Sequence, residues 1–185
     1  MVVSGRPLTP SDLPYVDTDN AGGAELAVRH LLSLGRRRIA TIAGPQDMVA
    51  GIDRLAGYRR ALNDSDLRSL ITTGDFTRDS GLDAMRQLLR DDPEIDAVFA
   101  ASDLMALGAL QALRAAGRRV PEDVAVIGFD DAPAAACSEP PLSTVRQPIA
   151  AMGREPARMV LRLSAGEPVE SPVVFPTELV LRDTA

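Results

Sequence analysis

The 185-residue sequence predicts an α/β protein built on a doubly wound parallel sheet, and three observations carry that expectation. Four short runs are continuously apolar and rich in β-branched residues: Ile39 to Ala43, Leu70 to Thr73, Ala97 to Ala101 and Val124 to Phe129. Unbroken apolarity fits strands covered by helices on both faces, as in a parallel sheet. Their starts lie roughly 30 residues apart, about the size of one βαβ unit. The segments between them have helical spacing: Leu55, Tyr58 and Leu62, then Leu82, Met85, Leu88 and Leu89, then Leu104, Leu107, Leu110 and Leu113. The order β-α-β-α-β-α-β reads as an open sheet wound in both directions.

Taken from the start, Val2 to Ser4 reads as a short strand, followed by a loop with Pro7, Pro10 and Pro14 and a second extended piece, Tyr15 to Asp17. A helix is expected from about Ala21 to Leu34. Ala24, Ala27, Val28, Leu31 and Leu32 share one side of it, and Gly35 can end it in a left-handed conformation. Such a helix needs a sheet to cover. Ser102 precedes the third inner helix and can cap its free amides, while Gly117 follows its last apolar turn. Pro93 and Pro121 stop the preceding helices before the next strands. Ile149 to Leu163 reads as a helix that Pro156 is expected to kink or interrupt, because proline removes a hydrogen bond. Val173 to Leu181 alternates enough to be one strand, with Pro176 at its edge or at a bulge.

Composition narrows the chemistry. With 45% hydrophobic and 25% charged residues, the chain reads as a soluble globular protein with one core, or two lobes sharing a crossover. No stretch approaches the roughly 20 unbroken apolar residues that span a bilayer. Twenty basic and 26 acidic residues give a net charge of -6, the opposite of a phosphate-binding footprint. Every basic residue is an arginine, which removes Schiff-base chemistry, PLP attachment and the P-loop lysine. One cysteine, Cys137, and one histidine, His30, exclude an intrachain disulfide and a Cys/His zinc site, so a reducing, cytoplasmic setting fits. Met1 to Leu8 lacks the charged-then-apolar order of a signal peptide.

In open α/β sheets, ligands sit beyond the carboxyl ends of the strands. The exits here are Gly44 and Pro45, then Asp75, then Ser102 and Asp103, then Asp130 and Asp131. Carboxylates around a cleft can accept hydrogen bonds from neighbouring hydroxyls while an arginine donates, an arrangement that suits a small polyol such as a sugar. Plainer roles stand beside these. Asp103 at a helix start also fits a dipole partner. Asp130-Asp131 could be a metal pair or a phosphoacceptor, although a receiver domain needs the lysine this chain lacks. His30 fits a packed helix residue and Cys137 a small packing residue or loop thiol, and Arg36 to Arg38 fits a solvated turn.

Longer strings carry a resemblance. Val16-Asp17-Thr18-Asp19-Asn20 with Gly23, His30-Leu31-Leu32, Leu34-Gly35, Gly44-Pro45 and Arg54-Leu55-Ala56-Gly57-Tyr58 occur in that order. They are followed by the run from Ala97 to Gly108 containing Ala101-Ser102-Asp103, by Val120-Pro121-Glu122-Asp123-Val124, by Ile127-Gly128-Phe129-Asp130-Asp131, and by Pro141 to Pro148. Together they resemble the LacI/GalR family of transcriptional repressors from Val16 almost to the end. Arg36 stands where a histidine is common in that family, and Ser143 where a threonine is.

The resemblance implies a periplasmic-binding-protein-like fold, in which two α/β lobes joined by three crossovers close on an effector, usually a sugar or purine. Carried over by position, Arg54, Ser102 or Asp103, Asp130 and Gln147 are the expected effector contacts. Residues 38–147 and 167–185 would form a near-complete C-terminal lobe. Residues 1–37 and 148–166 would be a remnant of the N-terminal lobe, whose apolar helix, short of its sheet, would expose a large patch. The helix-turn-helix headpiece of the family does not resemble any part of these 185 residues. The expected role is therefore effector sensing and homodimerisation through the C-terminal lobe, with operator DNA reached only through a headpiece outside this sequence. No cofactor, catalysis or membrane contact is implied. A transport-type sugar receptor and a small α/β enzyme using Asp103 or Asp130 are the competing readings.

Overall fold

The computed structural model describes residues 1–63 and 67–185. In chain order the first half forms β1 (Val3–Ser4), β2 (Tyr15–Thr18), α1 (Asn20–Ser33), β3 (Ile39–Ala43), α2 (Val49–Asn63), β4 (Leu70–Thr73) and α3 (Arg78–Asp91). The second half forms β5 (Ala97–Ala100), α4 (Asp103–Ala115), β6 (Ala125–Asp130), α5 (Pro133–Ala136), β7 (Ser143–Arg146), α6 (Ile149–Ser164), β8 (Val173–Phe175) and β9 (Glu178–Val180). Six strands join in the order β4-β3-β5-β6-β7-β9, all parallel except β9, which runs antiparallel to β7. The chain moves outward from β3 to β4 and then returns to the other side of β3 as β5. The resulting switch point opens a crevice at the carboxyl ends of β3 and β5.

The apolar runs are continuous because alternate residues enter different cores. Ala40, Ile42, Val98 and Val126 pack with Met85, Leu88, Met105 and Leu113 of α3 and α4 on one face. Ile39, Phe99, Ile127 and Phe129 pack with Val28, Leu31, Leu55 and Tyr58 of α1 and α2 on the other. The two helices of each layer lie close. Gly57 sits against the backbone of Ala21, and Gly81 against that of Met105, with no room for a Cβ at either glycine. A smaller parallel sheet of β1, β2 and β8 is flanked by α6.

Three expectations need correcting. Helix α1 does not belong with the smaller sheet and is not short of a surface to cover. Ala24, Ala27, Val28 and Leu31 are fully buried against the six-stranded sheet, so residues 20–33 are part of its outer layer. The segment from Val173 to Leu181 is two strands in two sheets: Val173–Phe175 pairs with β2, and Glu178–Val180 pairs with β7. Pro176, with no N–H to offer a ladder, stands at the crossing, so the division expected at residues 167–185 falls within that segment. Helix α6 runs on through Pro156. Most of its residues are exposed or half-exposed, so water can reach the carbonyl that proline leaves without a partner.

Tyr58 fastens the edge of the larger sheet. Its ring is fully buried, its hydroxyl donates to the Ile39 carbonyl at 2.8 Å, and the Leu70 N–H donates to it at 3.0 Å. Burial pushes that phenol up to about 12, which keeps it a neutral donor. Tyr58→Phe should lower the unfolding free energy by about 1–3 kcal/mol, since it strands a donor and an acceptor where β3 and β4 begin. Urea denaturation reads this directly; an unchanged midpoint would mean that solvent already serves both groups.

Candidate functional site

Phe129 in β6 and Arg54 in α2 bring the crevice together. The Arg54 side chain crosses the carboxyl ends of the central strands at only 5% exposure, and its guanidinium carbon lies 3.8 Å from the centroid of the Phe129 ring. Nε donates to Asn20 Oδ1 at 2.8 Å, and Nη1 donates to the Ala101 carbonyl at 2.6 Å and to Asp130 Oδ1 at 3.3 Å. Burial pulls the guanidinium down from its ordinary value, and Asp130 is the chief charge opposing that. The Arg54 head is therefore held by α1, by the exit of β5 and by the exit of β6.

Asp130 is the centre of this arrangement. Gln147 Nε2 donates to its Oδ1 at 2.7 Å, so one oxygen is shared by Arg54 and Gln147. Its side chain remains 34% exposed, whereas that of Arg54 is nearly enclosed. Burial raises the Asp130 carboxyl, and Arg54 and Gln147 work against that rise. The chain of bonds continues backward: Asn20 Nδ2 donates to Asp17 Oδ1 at 3.2 Å, and Asp17 lies in β2 of the smaller sheet. Asp17, Asn20, Arg54, Asp130 and Gln147 thus form one polar chain linking both sheets. Beside it, an open cavity of about 630 Å³ is lined by Asp130, Arg146, Gln147, Ile149 and Arg154, within the range that small ligands occupy.

Of the expected contacts, Arg54, Asp130 and Gln147 come together, and Ser102 and Asp103 are used otherwise. Ser102 is 4% exposed, and its hydroxyl accepts from the Met105 N–H at 3.3 Å as the cap of α4. Asp103 is wholly buried, with its carboxyl turned to Thr144 and Ala132 rather than toward the cavity. Its position, three residues beyond the end of β5, places it near the cleft, but its side chain points to the turn after β6.

Asp131 also turns away, accepting from Arg146 Nε at 2.6 Å and from Arg182 Nη2, so the adjacent aspartates do not converge on one cation. Among the described residues, no group of three or more His, Cys, Asp and Glu side chains is placed to hold a metal. Asp75 accepts from Thr77 in a local turn that holds its carboxyl near 2.

Phe76 is the residue that strand-exit reasoning passed over. It follows Asp75, takes φ 68°, and lays its ring against Gly44, where no Cβ would fit, 5.8 Å from the Arg54 guanidinium. The chain has only four phenylalanines, two tyrosines and no tryptophan, so an aromatic in a polar turn at a strand exit was a readable signal. Asn20 carries no comparable signal, since an asparagine after an acidic loop residue at a helix start is ordinary.

The Asp103 carboxyl is pushed up to about 7 by burial, with the charges of Asp130 and Asp131 adding to the rise, against bonds from Thr144 and Ala132. Arg54 from α2, and Arg146 and Arg182 around Asp131, are the cations facing this group of acids. An unfolded aspartate titrates near about 4, so between these values the folded chain keeps a proton that the unfolded chain has lost. Stability tied to this group is therefore complete below about pH 4 and falls as pH rises through about 7. Asp103→Asn should flatten that slope in urea denaturation between about pH 5 and 8; equal slopes in both proteins would refute it.

Comparison with known proteins agrees with this architecture. Residues 28–185 match the periplasmic binding protein-like domain family. The HTH-type transcriptional regulator CelR of Thermobifida fusca is 54% identical over 99% of this chain. This chain spans about half of that relative, 56% of its length. Among solved structures, a transcriptional regulator CelR-cellobiose complex superimposes with a TM-score of 0.95 at 53% identity, covering 100% of this chain and 58% of that one. A regulatory protein of the LacI family from Chloroflexus aggregans gives a TM-score of 0.92 at 37% identity, covering 99% of this chain and 67% of its own. With that fold, and with a relative this similar across nearly its whole length, the chain belongs to the periplasmic binding protein-like domain family of LacI-type transcriptional regulators.

Proposed function

We propose that these residues are the effector-sensing part of a cytoplasmic, sugar-responsive transcriptional repressor, and that the effector is a β-linked glucose disaccharide of the cellobiose type. The observation that carries this reading is the shared oxygen of Asp130, gripped by Arg54 and Gln147 while its side chain stays open beside the cavity. A fixed carboxylate accepts from neighbouring sugar hydroxyls, and the buried arginine keeps it charged and aimed. The Phe76 ring, held against Gly44, offers an apolar face to the C–H side of a pyranose. The cellobiose bound to a similar regulator supports trying that sugar first. No step of this role is catalytic. In this reading the protein acts as a homodimer through the larger lobe and reaches operator DNA through a headpiece outside these residues. The smaller sheet with α6 belongs to the second lobe of the clamp.

Isothermal titration of the native-length protein with cellobiose, glucose and ribose tests the reading. Cellobiose should bind best. Asp130→Asn should weaken it about 10- to 100-fold, the equivalent of losing one hydrogen bond to a charged group. Phe76→Ala should weaken it about 5- to 20-fold, by loss of apolar contact alone. Absence of heat with all three sugars, or an Asp130→Asn protein that binds as well as the parent, would overturn it. Gel-shift release of operator DNA should follow the same order of sugars.

A further inference from the structure

Two consecutive residues at the exit of β6 have positive φ, Asp130 at 126° and Asp131 at 56°. Neither is glycine, and side-chain-bearing residues hold such conformations only when their surroundings fix them. The surroundings here are one residue of α4 and one of β7. The Ala132 N–H donates to Asp103 Oδ2 at 2.7 Å, and the Asp131 N–H donates to Thr144 Oγ1 at 3.4 Å. The Thr144 hydroxyl in turn donates to Asp103 Oδ1. Both amides that follow Asp130 are therefore engaged by Asp103 and its hydroxyl partner. Gly128 leaves the space the Asp103 carboxyl occupies, since any Cβ there would collide with it. Asp103 is not needed as a helix cap, because Ser102 already fills that place.

We propose that Asp103 is a positioning residue whose buried carboxyl clamps the turn of residues 130–132 and so holds Asp130 toward Arg54, Gln147 and the effector. The clamp is a property of the fold; its consequence for affinity rests on the sugar-sensing reading above. An asparagine at this position keeps a carbonyl acceptor for the Ala132 N–H and an amide that can donate to Thr144 Oγ1. An alanine keeps neither.

The test compares the native-length protein with its Asp103→Asn and Asp103→Ala variants by amide hydrogen exchange and by titration with cellobiose. In Asp103→Ala, the amides of Asp131 and Ala132 should exchange about 10-fold faster or more while those of β5 and β6 stay protected. Cellobiose affinity should fall about 30-fold or more in that variant, whereas Asp103→Asn should keep both quantities within about 3-fold of the parent. Unchanged exchange at the turn in Asp103→Ala overturns the clamp, and so does an Asp103→Asn protein as impaired as Asp103→Ala. Should Asp103→Ala fail to fold, Thr144→Val removes the hydroxyl between Asp103 and Asp131; it should speed exchange at the Asp131 amide about 5-fold, and no change there would be equally fatal. If the parent protein binds no sugar, the sugar reading falls and exchange at the turn decides the clamp alone.

Discussion

Placing the Arg54 guanidinium under the carboxyl ends of the strands is the constraint around which this fold is organised. A cation at 5% exposure loses most of its hydration, a cost of several kcal/mol, on the order of what a buried ion forfeits in other proteins. It is offset only if every neighbour is in register at once. Asn20 comes from α1, the Ala101 carbonyl from the end of β5, and Asp130 and the Phe129 ring from β6. Helix α2 carries the arginine to them, and Gly57, pressed on the backbone of Ala21, lets α2 approach α1 closely enough for the Asn20 bond to form. Tertiary packing and site electrostatics are thus one problem: a looser contact between the two helices would leave a buried charge short of a partner.

The adjacent aspartates divide the work that follows. Asp130 faces Arg54 and Gln147, whereas Asp131 faces Arg146 and Arg182, and Arg146 also reaches Glu178 at 3.3 Å. Opposite directions for neighbouring side chains are normal in a strand. They persist here beyond the end of β6 because the backbone departs into positive φ and is held there. The result places one carboxylate beside the cavity and uses the other as a rivet between the exit of β6, the end of β7 and the segment after β9.

The sequence made the central architecture legible because continuous apolarity has few explanations in runs too short to cross a bilayer. Each run fell on a strand, and alternate residues of each entered opposite cores. The resemblance named Arg54, Asp130 and Gln147, which the structure brings into contact, and the strand exit named Asp130 as well. What stayed hidden depends on direction or partnership. Ser102 and Asp103 were placed correctly along the chain, but χ angles decide whether a side chain at a helix start points to a ligand, a cap or a neighbouring turn. The periodicity of α1 showed an apolar face without naming the sheet beneath it. Val173 to Leu181 looked like one strand because alternation does not reveal that a chain changes partners at Pro176.

That change of partners bears on how the two sheets communicate. Asp17 ends the polar chain in the smaller sheet, and Gln147 ends it just before α6, which packs on the same sheet. Thr177, between β8 and β9, lies against Gly23 at the start of α1, where a Cβ would crowd it. Two of the three connections, at residues 18–20 and 147–149, carry ends of the Asn20-Arg54-Asp130-Gln147 bonds, and the third touches the start of α1 at Gly23. The Asp130 oxygen that accepts from Gln147 also accepts from Arg54, so the crossover at residue 147 is tied directly to α2. Differential contact at such a point is the physical requirement for a ligand to bias one arrangement of two bodies over another. The polar chain offers such a point, because Asp130, open beside the cavity, is also the residue that ties α2 to the crossover at residue 147.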